Sequence, residues 1–317
     1  MTADGAAVAG DRRLSTEFCG IDFQNPVLLA AGTAAYGEEL DDVVQLDRLG
    51  GIVTKAVSLE PRHGAPAPRV AEFDGGMMNA VGLANPGVAV VRAQHHPWLG
   101  QRLRHARVIV NVIGFQTDEF PRVIEGLGDD APVHAFELNV SCPNTKAGGT
   151  EFGADPAALR EVVAGAREAT RRPLIVKLAP TLADIGGAAR TAVDAGADAI
   201  SVVNTIPGLA IDVDKRRPVL GYGTGGVSGP GLLPVGVLAT WKVRNAVSVP
   251  IVGIGGISSA DAVLQYIIAG ASLVAIGTGA LRDPRLPERI VRDLHAWCAA
   301  HHVGSLSALR GTLEWPR

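Results

Sequence analysis

Eight short, predominantly apolar runs, alternating with longer stretches of helical spacing, constrain this chain more than any other feature. The runs cover 27–31, 51–54, 108–112, 135–139, 174–178, 199–203, 251–254 and 273–276. A strand with one wet face alternates polar and apolar residues, whereas a strand covered on both faces does not. These runs do not alternate, so they predict parallel strands packed beneath helices. Helices are expected over 38–49, 117–127, 155–170, 183–195, 232–246, 260–269 and 286–301. Asp155-Pro156 places a capping acid before a proline at the first helical position, and Ser258-Ser259-Ala260-Asp261 opens a helix similarly. Eight such units predict an α/β chain folded as a single (β/α)8 TIM barrel. A doubly wound sheet is disfavoured, because Ala31-Gly32-Thr33 leads into no glycine-rich dinucleotide fingerprint.

The barrel domain is expected over 14–317. Residues 1–13 are Ala/Gly-rich with two arginines and no apolar stretch behind them, which reads as a disordered tail rather than a signal peptide. The formal charge of -3 leaves no basic surplus for a nucleic acid. Cys19, Cys142 and Cys298 are far apart, so neither a disulfide framework nor a metal site is indicated, and a cytoplasmic setting is expected. No run is long enough to span a membrane.

Three connections exceed what a barrel requires: 55–98, 140–153 and 204–231. All follow strands, and so belong to the barrel face where active sites are built. On the second, Asn139-Val140-Ser141-Cys142-Pro143-Asn144 places a thiol between two amides, ahead of Lys146, Gly148, Gly149, Phe152 and Gly153. Such amides can hold the carbonyl and N–H edges of a small heterocycle while the thiol moves a proton. Gly253, Gly255 and Gly256 end the seventh strand, and Gly277, Thr278 and Gly279 the eighth, which predicts a phosphate cradle. Lys55 closes the second strand, while Lys177 lies inside the fifth, where a charge needs a partner; a phosphorylated cofactor or an anionic ring is the expected one. Asn79, Asn111, Asn139, Asn144 and Asn204 suggest an amide-lined pocket.

These motifs together resemble the dihydroorotate dehydrogenase family. The resemblance is carried by Asn-Val-Ser-Cys-Pro-Asn at 139–144, by Thr-Lys-Ala-Val-Ser-Leu-Glu-Pro-Arg at 54–62 and by Asn-Ala-Val-Gly-Leu at 79–83 with Asn85-Pro86-Gly87. Asn204-Thr205 and Gly-Thr-Gly-Gly-Val-Ser-Gly-Pro at 223–230 complete it. It implies a (β/α)8 flavoprotein that binds FMN and oxidises dihydroorotate to orotate in pyrimidine synthesis. The form of the motifs is closest to the class whose FMN subunit pairs with a subunit carrying FAD and a [2Fe–2S] cluster and passes electrons to NAD+. A homodimer, alone or within a heterotetramer, is the assembly implied.

By position, the resemblance assigns the FMN phosphate to Gly255, Gly256, Gly277 and Thr278. It assigns the flavin ring to Ala31, Lys55, Ala56, Asn111, Asn139, Lys177, Val203 and Gly229. Lys55, Asn79, Ala80, Val81, Gly82, Leu83, Asn139, Asn144, Asn204 and Thr205 would bind the substrate. Cys142 would be the base, with Lys177 and Thr205 completing the catalytic set. Ala31 and Ala84 depart from the family's commoner serine and glutamine. Two flavin alternatives stand beside this reading: a dihydropyrimidine dehydrogenase-type reductase acting on uracil or thymine, and fumarate as electron acceptor. A barrel lyase using Lys177 as a Schiff-base amine and a non-catalytic assembly partner are the readings from other classes.

Overall fold

A computed structural model describes residues 12–129, 132–141, 143–144 and 150–316. Its centre is a closed barrel of eight parallel strands. In chain order these are β1 (Val27–Leu29), β2 (Gly51–Val53), β3 (Arg107–Val112), β4 (Val133–Asn139), β5 (Leu174–Leu178), β6 (Ala199–Val202), β7 (Ile251–Ile254) and β8 (Leu273–Ile276). Each pairs with its sequence neighbours, and β8 closes on β1. The expected TIM barrel is therefore the observed one.

Period-two geometry sorts the strand residues into two cores. Leu28, Ile109, Ala135, Ile175, Ala199, Val252 and Leu273 fill the barrel interior, while Val27, Val108, Phe136, Leu174, Ile200 and Val274 join the layer beneath the helices. The helix Pro156–Ala169 shows the outer logic. Its buried Ala158, Leu159, Val162, Val163 and Ala166 recur at helical spacing, and Asp155 caps its start by accepting from Ala157 N and Ala158 N. Ser259 likewise caps the helix Ala260–Ala269 through Ala262 N. The N-terminal end is plugged by a hairpin, Thr16–Phe18 with Ile21–Phe23. Its Phe18 and Phe23 meet edge to face 6.1 Å apart and join the interior core.

The helix expected over 38–49 does not form. Two 3-10 turns, Glu38–Leu40 and Leu46–Arg48, occupy the segment. Val43 N and Val44 N both return to Leu40 O, and the ladder then stops because Gln45 N donates to Glu288 Oε1 at 2.6 Å. Helical structure lies instead in the connection after β2, where Val88–Val90 and Val91–His95 lead into His96–Arg102.

The loops after β2 and β6 combine into a four-stranded antiparallel sheet ordered Ile206–Gly208, Gly225–Ser228, Gly76–Asn79, Val70–Phe73. Sequence patterning did not signal it. Glycine is required at its tightest crossings: a Cβ on Gly76 would lie 2.4 Å from Ser228 O, and one on Gly226 would lie 2.0 Å from Thr205 Oγ1.

Candidate functional site

The interior rows change from apolar to polar near the C-terminal ends of the strands. Two residues beyond Ile109, Ala135, Ile175 and Ala199 stand Asn111, Glu137, Lys177 and Ser201, all buried. Their side chains meet at one carboxylate. Asn111 Nδ2 donates to Glu137 Oε1 at 2.7 Å, Ser201 Oγ donates to Glu137 Oε2 at 2.9 Å, and Lys177 Nζ lies 3.8 Å from Glu137 Oε1. Asn111 Oδ1 is buried without a hydrogen-bond partner. A buried acceptor left in that state costs about 1–3 kcal/mol, so it marks a place where a ligand donor is wanted.

One more step along the rows come Asn139 and Val203. Asn204 follows, donating through Nδ2 to Asn139 Oδ1 at 3.3 Å, and its own Oδ1 accepts from Thr205 N at 2.8 Å. Asn79 ends its strand in the four-stranded sheet, with Nδ2 3.5 Å from Gly226 O. Lys55 N donates to Ala35 O at 2.7 Å, which holds the turn beyond β2 against the loop from β1, and the buried Ala56 follows it.

The segment 79–83 is shaped by backbone geometry. Gly82 has φ 71° and Leu83 φ 59°, the latter a left-handed conformation uncommon for a residue with a side chain. Asn85 holds it there. Its Nδ2 donates to Leu83 O at 2.9 Å and Ser58 Oγ at 2.8 Å, while its Oδ1 accepts from Gly87 N at 2.9 Å and Ser58 N at 3.2 Å. One buried amide thus ties the start of the loop after β2, at Ser58, to the segment of the same loop expected to carry substrate contacts.

At the ends of β7 and β8, Gly255 and Gly256 take φ 121° and 70°. A Cβ on Gly256 would lie 2.3 Å from Leu233 N, so the backbone there comes close to the start of the helix Leu233–Ala246. Thr278 Oγ1 donates to Ser228 Oγ at 2.8 Å, linking the β8 end to the four-stranded sheet beside Gly229. The expected cradle glycines and the sheet thus meet on one face.

Residues 13–297 match the family model described as dihydroorotate dehydrogenase. The chain belongs to the dihydroorotate dehydrogenase family. It is 44% identical over 301 residues to a Pelobacter propionicus chain named dihydroorotate dehydrogenase B (NAD(+)), catalytic subunit, covering 95% of this chain and 98% of that one. A Geobacter sulfurreducens chain of the same name is 43% identical with the same coverage. A Solibacter usitatus chain provisionally named dihydroorotate dehydrogenase A (fumarate) is 45% identical over 303 residues, 96% of this chain and 99% of that one. Family membership places the chain among the oxidoreductases.

Within this dehydrogenase barrel, Lys55, Asn79, Asn111, Asn139, Lys177, Asn204 and Thr205 all stand at or beyond the C-terminal ends of barrel strands or on the sheet above them. Cys142, Lys146, Gly148 and Gly149 lie outside the described residues; Asn144 pairs through its backbone with Thr150. Beside the bound anion expected for it, Lys177 has a charged neighbour within the chain, Glu137, at 3.8 Å. Glu137 and Ser201 were not singled out from the sequence, although Glu137 stands inside Ala-Phe-Glu-Leu-Asn as Lys177 does inside Leu-Ile-Val-Lys-Leu. The signal was there: stepping back two residues from Asn139 reaches Glu137, and stepping back two from Val203 reaches Ser201.

Among the described residues no helix is long and apolar enough to cross a membrane, and no group of three or more His, Cys, Asp or Glu stands together.

Proposed function

We propose that the chain is the FMN-binding catalytic subunit of a cytoplasmic, NAD+-linked dihydroorotate dehydrogenase, with one catalytic domain over 14–317. The observation that carries this reading is the buried polar step of Asn111, Glu137, Lys177 and Ser201 beneath a rim of asparagines, in a barrel of this family. The chain's residues fit a flavin. The unpartnered Asn111 Oδ1 suits an imide N–H, Lys177 suits an electron-rich ring, and Gly255 and Gly256 leave the backbone bare for a phosphate.

On this reading Gly255, Gly256, Gly277 and Thr278 hold the FMN phosphate. Ala31, Lys55, Ala56, Asn111, Asn139, Lys177, Val203 and Gly229 surround the ring. Bound FMN supplies a hydride acceptor for the substrate C6. Lys55 and the backbone of Ala80, Val81, Gly82 and Leu83 take the substrate carboxylate, whose charge the ammonium of Lys55 balances. Asn79, Asn139, Asn144 and Asn204 with Thr205 fix the pyrimidine edges, each amide offering one acceptor and two donor hydrogens. Cys142 takes the C5 proton. An ordinary thiol titrates near ~8.5, so turnover should rise with pH toward that region. The ammonium of Lys177 stabilises negative charge as it develops.

The test is anaerobic mixing of the FMN-loaded chain with dihydroorotate. Loss of the visible flavin band within a turnover is expected; a band that persists overturns the reading, and bleaching by dihydrouracil instead would favour the uracil/thymine alternative. Electron delivery to NAD+ is assigned to a partner subunit carrying FAD and a [2Fe–2S] cluster, in a homodimer or heterotetramer. The isolated chain should then reduce dyes and leave NAD+ untouched. The Solibacter usitatus relative's name favours a second acceptor reading, and rapid reoxidation of the reduced chain by fumarate would establish it.

A further inference from the structure

Within the polar step at the top of the barrel, three strands converge on a residue that none of the roles above uses. Glu137 is 1% exposed, and the groups on it come from β3, β5 and β6: an amide NH2, an ammonium and a hydroxyl. A carboxylate can only accept, so it dictates how Asn111 is turned. The NH2 must face Glu137, and the oxygen is the atom left over. That oxygen is the one found buried and unpartnered. With the amide reversed, two acceptors would meet inside the barrel and a pair of N–H donors would be left unsatisfied, so the observed orientation is the only one that satisfies Glu137.

The same Oε1 atom is the neighbour of Lys177 Nζ at 3.8 Å, a separation that brings charge compensation without a tight hydrogen bond. Glu137 therefore halts the ammonium's swing while leaving its donors free for another acceptor. Two consequences follow for whatever sits above. It meets an acceptor of fixed identity at Asn111, and it meets a cation whose field is reduced by a carboxylate behind it.

We propose that Glu137 is a positioning residue for bound flavin: it turns Asn111 to accept from the flavin's imide N–H and sets, through Lys177, how strongly reduced flavin is favoured. The inference rests on the flavin reading above and names a residue that reading does not assign.

The experiment has two arms. In the first, the midpoint potential of FMN on the native chain is compared with that on Glu137→Gln, which retains the side chain's shape and an acceptor and loses the charge. Without the carboxylate the Lys177 field is uncompensated, and reduced flavin, being the more negative form, gains. A roughly tenfold shift in the ratio of reduced to oxidised affinity is expected, equivalent to ~30 mV upward for a two-electron couple. In the second arm the native chain, stripped of flavin, is titrated with FMN and with N3-methyl-FMN, followed by quenching of flavin fluorescence. The methylated flavin has no imide hydrogen for Asn111 Oδ1 and is expected to bind at least about tenfold more weakly, the worth of one buried hydrogen bond.

An unchanged potential in the variant, or equal binding of the two flavins, overturns the role given to Glu137. If Glu137→Gln fails to fold, the second arm, which needs no variant, decides. A native chain that takes up no FMN at all overturns the flavin reading itself, a result distinct from either.

Discussion

The hydroxyl of Tyr266 lies 2.7 Å from Gly255 O and 2.9 Å from Ile254 O, so a helix on the outside of the barrel holds the turn at the end of β7 from behind. The ring is fully buried, and burial pushes its phenol well above the usual range, which keeps the hydrogen in place for donation. Glycines make the room. A Cβ on Gly253 would lie 2.3 Å from the Tyr266 ring, and one on Gly236 would lie 1.9 Å from its hydroxyl.

Replacing Tyr266 with Phe keeps the packing and removes the only side-chain donor that these two carbonyls have among the described residues. A loss of about 1–2 kcal/mol in urea unfolding is expected, with weaker FMN retention because the Gly255–Gly256 turn loosens. A variant with native stability and native FMN affinity would show that the tyrosine merely fills space.

Asn85→Ala should act on the substrate rather than on the flavin. It cuts the side-chain hydrogen bonds that join Ser58, Leu83 and Gly87, and frees Leu83 from its left-handed backbone. The expected result is a KM for dihydroorotate raised by about tenfold or more, with the FMN spectrum unchanged. A change confined to kcat would contradict this.

Thiol chemistry should single out Cys142. Burial, then the charges of Asp198 and Glu17, push Cys19 up to about 12, and Cys298 is buried in the core. Cys19 therefore forms little thiolate at about pH 8, and Cys298 is shielded from reagent by its burial. Iodoacetamide at that pH should label one site quickly, and peptide mapping should find it at Cys142, with bound orotate slowing the reaction. Fast labelling of Cys19 would refute the shielding seen at the barrel's plugged end.

His134 predicts a pH dependence of stability. Burial, and then the nearby Arg107 charge, hold its imidazole below the ordinary 6.5, and its Nδ1 accepts from Val108 N at 3.1 Å, a bond that needs the neutral ring. The unfolded chain therefore binds this proton more readily than the folded one. The contribution is full above about pH 6.5 and falls away as pH drops through the folded value. Between about pH 7.5 and about pH 5.5, the native Tm should fall by more than that of His134→Asn. Parallel Tm curves would assign the acid sensitivity elsewhere.

How much of this was legible beforehand differs by element. The barrel was, because a strand covered on both faces leaves an apolar run that little else mimics. The segment 38–49 was misread since its apolar spacing is helical while its ladder is broken from outside, by Glu288 some 240 residues later. The four-stranded sheet was hidden for a similar reason. Runs such as Gly-Met-Met-Asn and Gly-Gly-Val-Ser show little alternation, and their pairing is set by close backbone approach at Gly76 and Gly226. At the site, asparagines at strand ends announced themselves. Glu137 did not, because its partners come from three other strands, and lateral neighbours in a barrel leave no trace in a linear pattern.

The sheet that joins the loops after β2 and β6 also bears on how such an enzyme can change. Gly226 makes room for Thr205, and Gly229 approaches Gly76 so closely that a Cβ would stand 2.7 Å from its Cα. The strands Gly76–Asn79 and Gly225–Ser228 are paired, so a side chain added at Gly76 or Gly229 in one loop displaces the other. Altering substrate choice through these strands therefore calls for paired changes some 150 residues apart, which libraries that vary one loop at a time do not sample.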